Sequence, residues 1–369
     1  LRDGIKNRRN KFLYWMHCSS LGEFEQGRPL LEKLKESRKD SFILLTFYSP
    51  SGYLKSKNYP LADYIGYLPL DTPRNAKKFL ELTKPDQVVF VKYDLWYFFL
   101  REVHNNRIPL ILTSAYFPQR TEMSILQISF LKKVLFFFTH IFIQEEKSGE
   151  FLKEIDFENF TIAGDVRVDR VLEIAHSPFK DEIIEDFTVG KKTLICGSIW
   201  EKDSELILEW IKTEMNENWV VILAPHKIDR SSISKLCQKI HESYSLYSDY
   251  RNDSRILIID NIGKLSRLYR YGDIAYIGGG FGKSIHNTLE PAVYGLPVIF
   301  GPRYKKFPEA ISLKELGGGF EVRNIFEFKK TMDALRNDTR RTLVSQKVKT
   351  YINQSSGATS IIEQKIRKI

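Results

Sequence analysis

Short apolar runs alternate with amphipathic stretches along this chain, and the alternation runs through twice. FLYWMHC, SFILLTFY, ADYIGYLPL, QVVFVKY, PLILTSAY, HIFIQ and FTIAG are the strand-like runs of the first half. The segments between them have helical spacing. In DTPRNAKKFLELTK, Asp71 or Thr72 can cap a helix and Pro73 takes its first position. Strands that alternate with helices imply βαβ units and a mostly parallel sheet. After the polar stretch SPFKDEIIEDFTVGKK the pattern restarts with KKTLICGS, WVVILAP, SRILIID, DIAYIGGG and LPVIFG. A boundary therefore falls between residues 170 and 190, giving two doubly wound α/β domains. They are expected at 1–172 and 173–345, with a tail at 346–369. The last thirty residues look like two closing helices separated by Ser and Gly. Ligands of such sheets sit beyond the carboxyl ends of the strands, so the two domains are expected to face a shared cleft.

A chain of 369 residues is too long for one ordinary core, which agrees with two domains. Its 43% hydrophobic and 28% charged residues exclude a disordered class. The net charge of +10 points to an anionic partner. Zinc-type Cys/His spacing and single-strand RNA motifs are absent from the sequence, which disfavours nucleic acid. An acidic membrane surface or a phosphorylated substrate remains, as does plain surface solvation. Cys18, Cys196 and Cys237 are too far apart for a disulfide framework, and a reducing cytoplasm fits. SILQISFLKKVLFFFTHIFI comes nearest to a membrane span, but Lys132 and Lys133 split it. It reads as an amphipathic helix followed by a buried strand. The chain opens at Leu1 with the basic segment LRDGIKNRRNK and is expected to have followed another segment.

Two stretches carry candidate chemistry. In HCSSLGEFEQGRPLLEKL, Ser20 and Glu23 have capping-box spacing ahead of a helical stripe of Phe24, Leu30, Leu31 and Leu34. Glu23 is thus either a cap or a catalytic carboxylate at a strand–loop–helix junction. In AYIGGGFGKSIHNTLEPAVYGLPVIFGP, Gly278, Gly279 and Gly280 end a strand, and Gly282, Lys283 and Ser284 follow. Such glycines serve a tight turn or let backbone approach a phosphate at a helix N-terminus. Asn287 is placed to donate to a phosphate, and Glu290 to take a ribose diol. The spacing is not that of a dinucleotide fingerprint. Gly197 and Ser198 follow another strand, where Ser198 can cap a helix or contact phosphate. Pro225, His226, Lys227 and Arg230 follow a third, where His226 is either a loop histidine or part of an anion-binding cluster. DNIGKLSRLY, from Asp260, is a further loop-to-helix turn.

Together these stretches resemble the 3-deoxy-D-manno-octulosonic acid (Kdo) transferases, which move Kdo from CMP-Kdo to the lipid A precursor. HCSSLGE is similar to the family's His-x-x-Ser-x-Gly-Glu. YLPLDTPRNAKKFL, GSIWEKDSELIL, LAPHKIDR, DNIGKLSRLY and the glycine-rich stretch above resemble its other motifs in order. The resemblance implies two facing Rossmann-like domains of the glycosyltransferase-B type, acceptor in the first and nucleotide sugar in the second. It implies an inverting transfer to lipid IVA, with Glu23 as general base and Asp94 as a second catalytic acid. Ser20 and Gly22 are implied at the acceptor. Gly197, Ser198, Pro225, His226, Lys227, Gly263, Gly279, Gly280, Lys283, Asn287 and Glu290 are implied at the donor. CMP-Kdo has one phosphate and the chain has no Asp-x-Asp motif, so no metal or other cofactor is expected. The implied location is the cytoplasmic face of a bacterial inner membrane. The stretch Met123 to Phe138 either lies on that surface or packs in the core.

The sequence departs from the family pattern in places. VKYDLW stands where the family has Met-Glu-Thr-Glu-Leu-Trp, so Asp94 replaces a glutamate and Lys92 another. Asp94 can also be a helix cap. His226 replaces an arginine, and Ile262 and Lys264 replace a methionine and a glutamate. A two-domain glycosyltransferase or epimerase using a UDP-sugar, and a non-catalytic membrane-surface protein, are the alternative readings.

Overall fold

The computed structural model describes residues 2–92, 95–117 and 123–369. The chain forms two units, 1–170 with 355–369, and 171–354. In the first, the strands are β1 (Leu13–Cys18), β2 (Phe42–Phe47), β3 (Tyr64–Tyr67), β4 (Gln87–Val91), β5 (Leu110–Ala115), β6 (His140–Ile143) and β7 (Phe160–Ile162). They pair in parallel in the order β3-β2-β1-β4-β5-β6-β7. Successive side chains of β1 serve opposite faces, as strand geometry requires. Leu13 and Trp15 join one core with Phe79, Phe90 and Phe99, while Tyr14, Met16 and Cys18 join another with Phe24, Leu30 and Leu31. Helix Leu21–Ser37 lies close on the sheet because Gly27 has no side chain: a Cβ there would stand 2.9 Å from Val91 and 3.1 Å from the Met16 sulfur.

The second unit repeats the plan with β8 (Lys192–Ile199), β9 (Trp219–Pro225), β10 (Tyr244–Leu246), β11 (Ile256–Ile258), β12 (Ile274–Ile277), β13 (Val298–Phe300) and β14 (Gly319–Glu321). Their order is β10-β11-β9-β8-β12-β13-β14, again parallel. Helices Glu201–Glu214 and Arg230–Gln238 follow β8 and β9. The expected tail 346–369 divides. Its first part continues helix Asp338–Gln354 of the second unit, and its remainder returns to the first as helix Ala358–Ile366. Asp169 anchors that return by accepting the Gly357 and Thr359 N–H groups at 2.6 Å each, and Ile362 and Ile366 fill the core beside Leu34.

SILQISFLKKVLFFFTHIFI forms helix Ile125–Leu135 and strand β6. Ser124 and Gln127 close a reciprocal capping box at its start. Val134 and Leu135 are buried, but Ile125 is 85% exposed, Leu126 82% and Phe130 53%. No described helix is long and apolar enough to cross a membrane.

Candidate active site

In a doubly wound sheet the crevice for ligands opens where the strand order reverses. In the first unit that point lies between β1 and β4. The end of β1 runs through Ser19 into Ser20, the extended residue before helix Leu21–Ser37, and places Glu23 half-buried in the first turn. The expected capping box does not form. The Ser20 hydroxyl donates to the Glu23 carboxylate and caps no backbone N–H. A charged acceptor makes the stronger bond, and the hydroxyl turns to it. Gly22 is exposed, and a Cβ there would meet only the Ser20 hydroxyl at 3.7 Å. The end of β4 leads to Lys92 in a left-handed conformation, φ 70°. Asp94 lies outside the described residues.

Aromatic rings and caps brace this corner. His17 is fully buried against Phe90 and Trp96, its Nδ1 2.9 Å from the Thr46 hydroxyl. Burial pushes its imidazole down to about 3, so it is neutral. Tyr48 meets Trp96 edge-on at 4.8 Å. Thr72 caps helix Pro73–Thr83, whereas Asp71 caps another: it accepts the Phe98 and Phe99 N–H groups at 3.1–3.3 Å and so fixes the start of helix Tyr97–Asn105.

In the second unit the order reverses between β8 and β12. Here Ser198 has φ 53° and bulges β8, and Trp200, not Ser198, is the residue before helix Glu201–Glu214. The capping reading of Ser198 is therefore corrected. The glycines following β12 are needed for backbone packing. A Cβ on Gly278 would strike the Ser198 and Ile199 backbone, and one on Gly280 would stand 2.6 Å from Gly301. Gly279, at φ 93°, gives its N–H to Asp203 and not to a ligand. Asp203, almost fully buried, also accepts the Trp200 N–H at 2.9 Å and the Tyr276 hydroxyl at 2.7 Å, and so pins the ends of β8 and β12 together.

His226, after β9, stacks on Trp200 at 4.3 Å and on His286 at 4.7 Å, and the Trp200 indole N–H donates to His286 Nε2. Burial lowers both imidazoles. Lys227 adds to the effect at His226; at His286 His226 adds and Asp203 opposes. His226 is thus a neutral stacking group and adds no cation to the cluster. Pro225 ends β9, and the Lys227 ammonium stands 5.7 Å from the Trp200 ring centre. Lys283 is exposed in the glycine-rich turn. Asn287 donates to Glu290 at 3.3 Å and accepts the Leu289 N–H at 3.0 Å. The helix expected from HNTLEPAVYG is one turn, Leu289–Ala292, and the chain leaves it through the left-handed Gly295. Only a short dipole is therefore available to a phosphate. Burial pushes the Glu290 carboxyl up to about 7, with Asn287 opposing. Gly197 packs under Tyr269 and Leu265, which brings the Gly263 turn (φ 92°) to the same end of the sheet. Lys264 beyond it is tied to Asp181 and Tyr247.

The profile of the 3-deoxy-D-manno-octulosonic-acid transferase (kdotransferase) family matches residues 2–170. A 3-deoxy-D-manno-octulosonic acid transferase of Aquifex aeolicus is 29% identical over 354 residues, covering 94% of this chain and 92% of its own. Along nearly its whole length the chain is similar to the Kdo transferases. It is a glycosyltransferase. A bifunctional glycosyltransferase/methyltransferase of Fusobacterium nucleatum is 30% identical over 345 residues, 88% of this chain but 52% of the longer relative. In fold, the chain is similar to the UDP-GlcNAc 2-epimerases of Neisseria meningitidis (TM-score 0.67, 15% identity, 97% of this chain and 100% of that one) and Methanocaldococcus jannaschii (0.59, 16%, 89% and 94%). Its two parallel-sheet units are those of the glycosyltransferase-B fold.

In this chain Gly197, Ser198, Pro225, His226, Lys227, Gly263, Gly279, Gly280, Lys283 and Asn287 lie on strand ends or turns of the second unit, and Glu290 in the one-turn helix Leu289–Ala292. Ser20 precedes, and Gly22 and Glu23 open, the helix that follows β1 in the first unit. Sequence reasoning passed over Asp203 and His286, which organise the donor-side corner. The Trp200-x-x-Asp203 spacing, which can close a helix start, was the signal for Asp203.

Proposed function

We propose that the chain is an inverting transferase that moves Kdo from CMP-Kdo to lipid IVA, with Glu23 as general base. The observation that carries the reading is the Glu23 carboxylate, held by the Ser20 hydroxyl beside the crevice where the first sheet reverses. An acceptor hydroxyl attacks the anomeric carbon, the bond from that carbon to the phosphate oxygen breaks, and CMP departs. The hydroxyl proton passes to Glu23. Asn287, Lys227 and Lys283 supply donors for the phosphate. A Glu290 carboxyl poised near neutrality can both donate to and accept from a ribose diol. We assign no metal to these steps. Asp94 is proposed as a second acid at the acceptor.

The helix Ile125–Leu135 supports a membrane-surface acceptor. Ile125, Leu126 and Phe130 are exposed apolar residues, and Lys133 and Arg101 stand over the Tyr97 ring on which Phe130 stacks. Apolar residues flanked by cations suit an anionic leaflet, and we place the enzyme on the cytoplasmic face of the inner membrane. The test supplies CMP-Kdo, generated in situ, and lipid IVA with a chelator present, and reads the product by mass. A Kdo increment supports the reading. Turnover of UDP-sugars with none of CMP-Kdo would replace it with the alternative donor.

A further inference from the structure

Trp200 and His226 directly follow β8 and β9, and His286 lies on the glycine-rich loop after β12. The three rings form one plate. The Trp200 indole N–H meets His286 Nε2 at 3.1 Å and sets those two rings edge to edge. His226 lies across both, tilted 22° from one and 26° from the other. Backbone N–H groups fix each ring to the sheet. His226 donates to the Ile199 carbonyl at 3.0 Å, His286 to the Gly278 carbonyl at 3.2 Å and Trp200 to the Asp203 carboxylate at 2.9 Å. One face of His226 is covered by Trp200 and His286, yet the residue is exposed, so its other face looks outward. A pre-set aromatic face of this kind suits the apolar side of a ligand. The neighbouring groups identify which part of a ligand that is. Asn287 follows His286 at once and donates to Glu290 at 3.3 Å. With Glu290 on the ribose and Asn287 on the phosphate, ribose, phosphate and plate succeed one another along the loop. In a nucleotide sugar the group beyond the phosphate is the sugar. A 3-deoxy sugar carries a methylene beside its anomeric carbon, and an aromatic face shields such C–H surface from water.

We propose that the outer face of His226, backed by Trp200 and His286, is the platform for the donor's sugar ring and takes a 3-deoxy sugar by its methylene side. The inference rests on the Kdo reading and adds the residues that meet the sugar. His226 serves it as a ring and not as a cation. The test compares the parent with His226→Ala and His226→Phe, with thermal midpoints as the fold control. His226 is exposed, so both variants should fold. Initial rates with CMP-Kdo made immediately before use, at saturating lipid IVA, give KM, and calorimetric titration gives the affinity for CMP. His226→Ala should raise KM for CMP-Kdo about tenfold and leave CMP affinity within about twofold of the parent. His226→Phe, which keeps a ring, should stay within about threefold of the parent KM. An unchanged KM in His226→Ala overturns the proposal. A loss of CMP affinity equal to the rise in KM does so too, because the plate would then lie under the nucleotide. So does a His226→Phe variant as impaired as His226→Ala, because the contact would then need the ring nitrogens. In all three cases the parent still transfers Kdo and the Kdo reading stands. A parent that turns over no CMP-Kdo overturns that reading and the sugar platform with it.

Discussion

Removing the Asp203 carboxylate should loosen the second unit more than any surface substitution. Asp203 accepts three bonds, from the Trp200 N–H, the Gly279 N–H and the Tyr276 hydroxyl, at 2.7–2.9 Å in a buried setting. Hydrogen bonds to a charged acceptor are worth about 1.5–3 kcal/mol each, and a stranded buried donor costs about 1–3 kcal/mol. The Tyr276 hydroxyl can rotate and the Trp200 N–H lies near solvent, so the full sum is not lost. Asp203→Ala is expected to cost about 3–5 kcal/mol. In Asp203→Asn one oxygen can still accept both N–H groups while the amide donates to the Tyr276 hydroxyl. Only charge assistance goes, about 1–2 kcal/mol. Urea unfolding followed by tryptophan fluorescence measures both, and Tyr276→Phe completes a double-mutant cycle with expected coupling of about 1–2 kcal/mol. A cost below about 1 kcal/mol for Asp203→Ala would refute the claim that this carboxylate pins the two strand ends.

Three further outcomes follow from the same geometry. Glu290 holds its proton to about 7 when folded against 4.5 when unfolded, so the native state binds more protons between those values. Its contribution to stability should fall as pH rises from about 4.5 to about 7 and stay flat above. Glu290→Gln should remove that slope from urea midpoints measured across the range. His17, with its imidazole lowered to about 3, binds fewer protons when folded, so its contribution is intact above about 6.5 and falls as pH drops toward 3. Its ring signals in a nuclear magnetic resonance titration should stay unshifted from pH 8 to pH 5, in contrast to an exposed histidine. Asp71→Ala should cost about 1–2 kcal/mol in urea unfolding, the loss of a helix cap, and faster hydrogen exchange at Phe98 and Phe99 should accompany it.

The layered pattern was legible because buried parallel strands are written as continuous apolar runs. The two strands that the sequence did not announce, Tyr244–Leu246 and Gly319–Glu321, are three-residue strands at opposite edges of the second sheet. An edge strand buried on fewer sides needs no long apolar run. Strand order was hidden for a different reason: only folding reveals that β1 lies beside β4 and β8 beside β12. That is why Asp203, an ordinary helix-start carboxylate in sequence, proved to reach a loop seventy-six residues on. Caps misled where two acceptors competed. Ser20 chose the Glu23 carboxylate over the backbone, and Asp71 served the helix after next to it in space. The amphipathic helix at residues 125–135 was correctly located, but whether its apolar face was core or surface depended on neighbours that the periodicity does not name.

The central claim is that Glu23 takes the proton of the acceptor hydroxyl. Its most direct test is transfer of Kdo from CMP-Kdo, generated in situ, to lipid IVA by the parent, Glu23→Ala and Glu23→Gln, with CMP affinity measured on all three. Glu23 belongs to the first unit and the proposed donor groups to the second, so CMP affinity should be unchanged. Transfer should fall by at least about a hundredfold in both variants, the lower range for loss of a general base. Transfer within a few-fold of the parent would contradict the account and leave Glu23 as a partner of Ser20 at a helix start.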